Sequence, residues 1–291
     1  MSHPALQTQP CQAGTPGHAP ARRRQHGSGR PLRFVTFLAP NLLGLYQAIA
    51  RHVGHLLGLP TELAVASDYS EIADADVAFI CGLPYVMMTR QPHPPIEPLA
   101  APVLCGDRYA GQPVYFSDVI VRRDSPFRSF ADLRGQTWAY NEPLSQSGYG
   151  ITRQHLLQLG ETQGFFGRVV EAGWHEVALR WVCDGQADAA AIDSHVLAVT
   201  CRDNPEMAAQ LRIIDTLGPS PIQPVVAARK LSRPLKRQIQ TALLHMADDA
   251  EGRSALAEGL IDRFVPMNDR SYDAIRAMLH AAEAADFVTI G

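Results

Sequence analysis

Short apolar runs alternate along the chain with longer stretches in which apolar residues return every three or four positions. The first run, Leu32-Arg33-Phe34-Val35-Thr36-Phe37-Leu38, is β-rich and stops at Pro40, which predicts a buried strand. Leu42, Leu45, Ile49, Val53 and Leu56 then recur at helical spacing, with Arg51 and His55 off the stripe. Gly58 and Pro60 close that helix, because glycine accepts the left-handed conformation at a helix end and proline cannot continue the turn. Residues 62–66 predict the next strand. A strand-helix-strand order implies parallel pairing through a right-handed crossover.

The alternation continues. Strands are predicted over 76–81, 114–121, 137–140, 187–192 and 222–228, and helices over 147–159 and 175–183. Residues 126–133 read as a loop and short helix closed by Gly135. After residue 228 the chain reads as helical, for example over 235–246 and 272–285, punctuated by Gly252, Gly259 and Pro266. Ala75-Asp76-Val77-Ala78-Phe79-Ile80 and Ala187-Asp188-Ala189-Ala190-Ala191-Ile192 are similar small-apolar strands, each followed at once by polar or aromatic residues. They predict two similarly built α/β halves, each offering a strand end to a shared cleft, where open α/β sheets bind ligands.

Composition narrows the class. With 291 residues, 46% of them hydrophobic, the chain suffices for one large core or two smaller ones. A net charge of -3 supplies no field that would favour nucleic acid or an acidic membrane. No stretch reaches the roughly 18 uninterrupted apolar residues of a membrane span. The five cysteines are odd in number and contain no C-x-x-C, so neither a disulfide framework nor a zinc site is signalled. Cys81 and Cys183 lie in apolar stretches and are expected as buried thiols. Residues 1–30 carry Pro4, Pro10, Pro16, Pro20 and four glycines without an apolar run, so they are expected as a disordered tail with no visible export signal. Arg22-Arg23-Arg24 is followed by Gln25-His26-Gly27, not by the apolar run of a twin-arginine signal.

Four segments could carry chemistry. Asn141-Glu142-Pro143-Leu144-Ser145-Gln146-Ser147-Gly148-Tyr149-Gly150 lies between a predicted strand and a predicted helix. The first N–H groups of a helix lack intrahelical partners and carry its positive dipole end. Ser145 and Ser147 add hydroxyl donors and Gly148 allows close approach, which together make an oxyanion cradle; the same residues also suit a plain serine N-cap. In Ala172-Gly173-Trp174-His175-Glu176, His175 stands at a helix start and could donate to an anion, or be an ordinary structural histidine. Leu179 occupies the second histidine position of H-E-x-x-H, so a metal site has little support. Asp193 directly follows a buried strand and reads as a ligand acceptor or as the next helix's N-cap. Tyr85, in Gly82-Leu83-Pro84-Tyr85, could close the cleft with its hydroxyl or pack on the lobe. Phosphate-loop, dinucleotide and nucleophile-elbow motifs are missing, although Ser147, His175 and Asp193 could still assemble a hydrolytic triad.

Taken in order and spacing, these segments, together with Tyr115-Phe116-Ser117-Asp118-Val119-Ile120-Val121-Arg122 and Phe130-Ala131-Asp132-Leu133-Arg134-Gly135, resemble the phosphate, phosphite and phosphonate substrate-binding proteins of ABC transporters. The similarity runs over residues 32–285. It implies a two-lobed α/β fold of the periplasmic-binding-protein type II, hinged about a ligand cleft, with lobe 1 formed by 31–114 and 222–291 and lobe 2 by 115–221. It further implies a monomeric, extracytoplasmic binder without catalysis or cofactor, whose partners are a small phosphorus anion and a transporter permease. Ser145, Gln146, Ser147 and Gly148 match the family's oxyanion-binding helix start, His175 the histidine that joins it, and Tyr85 and Asp193 the positions that flank the pocket. Tyr46 is a further ligand candidate. Trp174 stands where the family typically has a small residue, which would reshape the pocket toward a larger or planar ligand. The alternative is a cytosolic relative acting as a sensor or enzyme on a phosphorylated small molecule.

Overall fold

The computed structural model describes residues 30–290. Among these, the chain runs through β1 (Leu32–Thr36), α1 (Leu43–Leu57), β2 (Thr61–Val65), β3 (Val77–Phe79), α2 (Gly82–Thr89), β4 (Ile96–Leu104), β5 (Val114–Arg122), β6 (Thr137–Tyr140), α3 (Ile151–Gln158) and β7 (Arg168–Glu171). It continues through α4 (His175–Cys183), β8 (Ala189–Asp193), α5 (Ser194–Asp203), α6 (Pro205–Gln210), β9 (Leu211–Pro221), β10 (Val225–Ala228), α7 (Arg233–Leu244), α8 (Ala250–Glu258), β11 (Ile261–Pro266) and α9 (Asp273–Ala284). The strands form two sheets, ordered β11-β4-β10-β3-β1-β2 and β7-β6-β8-β5-β9.

The two sheets repeat one local plan. In the first, β1 pairs in parallel with β2 on one side and β3 on the other, and β10 runs antiparallel to β3. In the second, β6 pairs in parallel with β7 and β8, and β5 runs antiparallel to β8. The apolar runs follow from burial on both faces. Phe34, Val77 and Phe79 enter one core cluster of the first lobe while Val35, Ala78 and Ile80 enter the other. Val119, Ala189 and Ala191 divide in the same way from Ile120, Ala190 and Ile192 in the second lobe. Side chains of a strand alternate between faces, so a strand covered on both sides reads as a continuous apolar run.

Four strands escape the apolar-run criterion. β4 holds Pro98 and Pro102 yet pairs with both β10 and β11, and proline removes the strand signature from its sequence. β7 and β9 are too polar or too interrupted by Gly218 and Pro219 to read as strands. The expectation that the chain is helical after residue 228 is corrected by β11, which lies antiparallel to β4.

The chain passes between the sheets after β4 and again after β9. Two details refine the lobe boundaries. Val196 and Val199 of α5 pack into the first-lobe core. Phe287 and Ile290, placed by the sequence in lobe 1, pack instead into the second-lobe core, where the hydroxyl of Tyr149 donates to the Val288 carbonyl at 3.4 Å. The expected tail over 1–30 lies outside the described residues except for Arg30, whose guanidinium pairs with Asp76 at 2.6 Å. No helix among the described residues is long and apolar enough to cross a membrane.

Candidate functional site

A cavity of about 250 Å³ lies between the two sheets. Its walls come from the carboxyl ends of the parallel strands: Phe37 beyond β1, Ala66 and Ser67 beyond β2, Cys81 beyond β3, Asn141 and Glu142 beyond β6, Glu171 at β7 and Asp193 at β8. Backbone polar groups at these ends are freed from the sheet ladder, which is why ligand sites collect there.

The donor wall is the helix start beyond β6. A wide turn over Gln146–Gly150 leads directly into α3, and Ser145 caps it by accepting from the Gly148 N–H at 3.0 Å. Ser145 Oγ lies 3.2 Å from Ser147 Oγ, which lies 2.9 Å from His175 Nε2. The Gln146 N–H is directed at the Cys81 sulfur, 3.3 Å away. The N–H of Ser147 has no acceptor among the described residues. Gly148 is required by space: a Cβ there would come 2.0 Å from Asn141 Oδ1. Sequence reasoning assigned that space to a ligand; the Asn141 side chain occupies it.

His175 is buried, and desolvation pushes its imidazole down to about 4, so the ring is neutral near pH 7. Its Nδ1 has no partner among the described residues. The hydrolytic triad is therefore not assembled, since the carboxylate that would orient the imidazole is missing from Nδ1. Asp193 is engaged elsewhere. Its Oδ1 caps α5, accepting from the N–H groups of His195 at 2.8 Å and Val196 at 3.4 Å, and its Oδ2 accepts from Gln223 Nε2 at 2.5 Å. The cap and cleft readings of this residue thus coexist. Burial raises its carboxyl to about 6 despite those three donors.

Tyr46 lines the cavity with its ring tilted against Phe79, centroids 4.7 Å apart, and burial holds its phenol well above the usual range. Trp174 also lines the cavity, at the N-cap of α4, after Gly173 turns the chain at φ 79°. Three sequence candidates do not line it: Gln146, Tyr85 and Gly148, whose free side is filled by Asn141. The Gln146 amide turns to Ser220 Oγ at 3.4 Å and the Met278 sulfur at 3.2 Å. Tyr85 is fully buried in lobe 1, where its hydroxyl donates to Asp269 Oδ1 at 2.6 Å and its ring tilts onto Tyr272. Its position in the first turn of α2 directs it into the packing between α2 and α9.

Among the residues that sequence reasoning missed are Phe37, Ser67, Tyr69, Cys81, Asn141, Glu142, Glu171, His195 and Gln223. Asn141 and Glu142 stand inside a segment already singled out as chemical, and His195 stands two residues after Asp193, so their neighbourhood was a signal. Tyr69 donates to Glu142 Oε1 at 3.1 Å across the cleft, and burial raises that carboxyl. Among the described residues no arginine or lysine lines the cavity; its donors are hydroxyls, amides and neutral imidazoles, and its ionisable acids are Glu142, Glu171 and Asp193. Among the described residues no group of three or more His, Cys, Asp or Glu side chains could hold a metal ion.

Comparison with known proteins bears on the family and the fold. Residues 36–272 match the family model described as ABC transporter, phosphonate, periplasmic substrate-binding protein. The phosphonates-binding periplasmic protein of Escherichia coli is 27% identical over 151 residues, which are 50% of this chain and 44% of that protein; the match thus spans less than half of the relative's length. A binding protein component of an ABC phosphonate transporter from Pseudomonas aeruginosa superposes with a TM-score of 0.77 at 22% identity, covering 89% of this chain and 88% of the other. PhnD1 from Prochlorococcus marinus, solved in complex with methylphosphonate, gives a TM-score of 0.76 at 16% identity, covering 88% and 98%. These likenesses establish the two-lobed type II fold.

Proposed function

Since the chain belongs to the periplasmic phosphonate substrate-binding family of ABC transporters, we propose that it is the solute receptor of an importer and clamps a small phosphorus oxyanion between its lobes. The observation that carries this reading is the helix start at Ser145–Gly148. Two hydroxyls, an unengaged backbone N–H and the dipole of the following helix converge beside a neutral histidine. Such donors suit an oxyanion and need no counter-charge. The permease of the importer is the partner that the family implies, and the periplasm the compartment.

The acceptors refine the ligand. A fully ionised oxyanion needs donors only, whereas Asp193 and Glu142 reward a ligand that brings a donor of its own. With no cation in the wall, the charge inventory favours a phosphorus anion carrying a P–OH or an amino group. The Ser147–His175 contact resembles half of a hydrolytic dyad, but the unpartnered Nδ1 favours binding over turnover.

The test is thermal unfolding of the full chain with phosphate, phosphite, methylphosphonate, aminoethylphosphonate and sulfate. A ligand that binds only the folded state raises the apparent stability by mass action. A rise in Tm with a phosphorus anion, abolished in Ser147→Ala, is expected. No rise with any of them, or an equal rise in Ser147→Ala, would overturn the assignment.

A further inference from the structure

The cavity is larger than the head group its donors fit. Its 250 Å³ is many times the ~10–15 Å³ that a cavity needs to hold one water, and exceeds the space of one tetrahedral oxyanion. Much of the remaining wall is aromatic: Phe37, Tyr46 and Tyr69 from the first lobe and Trp174 from the second. Three of these rings are already partnered. Phe37 stacks on Tyr69 at 4.8 Å and 18°, and Tyr46 lies against Phe79.

Trp174 differs. No ring among the described residues lies against it, and it belongs to none of the apolar clusters. It also keeps part of its surface accessible, whereas Trp138 is fully buried and stacked on Phe166 at 4.6 Å. Its position is nevertheless fixed. Gly173 sets the turn before it, and His175, the next residue, is held by Ser147. A large indole thus stands one residue before the histidine that contacts the cradle, with a stacked aromatic pair in the opposite lobe. A bare oxyanion would leave that surface wet. A flat ring attached to the phosphorus group would cover it, gaining both apolar burial and ring–ring contact.

Resting on the receptor reading above, we propose that the ligand is a phosphorus oxyanion bearing a flat aromatic substituent, which stacks on Trp174. The test is calorimetric titration of the full chain with methylphosphonate and phenylphosphonate, for the native sequence, Trp174→Phe, Trp174→Ala and Ser147→Ala. The native protein should bind phenylphosphonate about tenfold more tightly than methylphosphonate. That ratio should persist in Trp174→Phe and fall to about one in Trp174→Ala, while Ser147→Ala weakens both ligands. Should Trp174→Ala not fold, tryptophan fluorescence supplies the second readout: phenylphosphonate should change the native emission, and Trp174→Phe should remove the change. Equal affinities in the native protein, a preference that survives Trp174→Ala, or an unresponsive emission would overturn the stacking proposal and leave the oxyanion reading standing. Binding of neither compound would overturn both.

Discussion

The two lobes share a strand plan but differ at the corresponding helix starts. Beyond β1, the chain enters α1 through a turn over Pro40–Leu42, with Ala39 at its cap and no side-chain hydrogen bond. Beyond β6, it enters α3 through a turn capped by Ser145. The contrast recurs one strand over: Cys81 precedes α2 without a side-chain cap, whereas Asp193 caps α5. Each helix start leaves N–H groups without intrahelical partners; beyond β1 the Asn41 N–H is taken by Glu176 Oε1, whereas the Ser147 N–H has no acceptor among the described residues. What also differs is whether polar side chains surround them. Lobe 2 therefore carries the hydroxyl-rich helix start on which the oxyanion proposal rests, and lobe 1 adds rings, the Cys81 thiol and the Gln223 amide to the cavity wall.

The largest effect should come from a methyl group placed at each helix start. Gly148→Ala puts a Cβ 2.0 Å from Asn141 Oδ1, so either Asn141 or the donor turn must move. Overpacking of this kind costs about 1–3 kcal/mol of stability, and anion affinity should fall by at least about tenfold. Gly44→Ala, in the first turn of α1, meets nothing within 4 Å. It should leave anion binding alone and raise stability by up to ~1 kcal/mol through helix propensity. Thermal unfolding and titration of both variants read the contrast directly. Equal anion affinity in the two would mean that the donor turn at Ser145 is not what distinguishes the lobes.

Next in size is a pH effect confined to lobe 2. The Asp193 carboxyl is raised by burial from 3.8 to about 6. The folded protein therefore keeps a proton that the unfolded chain gives up, and the cost of ionising Asp193 grows from about pH 4 and is complete above about 6. A ligand that donates to the carboxylate needs the ionised form. The ratio of aminoethylphosphonate to methylphosphonate affinity should thus fall several-fold on acidification through about pH 6 and become flat in Asp193→Asn. His175 and His195, both lowered to about 4 by burial, remain neutral across that window and do not contribute to it. An unchanged slope in Asp193→Asn would remove this residue from the ligand's reach.

These contrasts were partly legible in the sequence. β6 and α4 read out at their observed bounds, because strand-forming residues and an apolar helical stripe were each closed by turn residues. The placement of Ser145, Ser147, His175 and Asp193 at the cavity was legible because each stands at or just before a predicted helix start. Side-chain direction was not. Gln146 lies between two cavity-lining serines yet points away, because successive residues in a helical turn are about 100° apart. Tyr69 and Gln223 were invisible for another reason: their partners Glu142 and Asp193 lie 73 and 30 residues away, and nothing local records the pairing. β4 was lost to its own prolines.

The smallest predicted effect concerns the cover. Tyr69 stacks on Phe37 and donates to Glu142 in the opposite lobe, while the Asn41 N–H donates to Glu176 Oε1 at 3.0 Å. Both bonds cross the cleft, so both favour the closed form over an open one reached by hinge motion. Tyr69→Phe keeps the ring stack and removes one of them. A hydrogen bond of this kind contributes about 0.5–1.5 kcal/mol, so the closed form should lose roughly two- to tenfold in population. The change should appear as faster ligand release in stopped-flow measurements, with the anion's rate of capture by lobe 2 nearly unchanged. A slower capture rate would mean that lobe 1 takes part in the first encounter. Release at the native rate would mean that the Asn41–Glu176 bond holds the cleft without Tyr69, whose contribution would then be its ring alone.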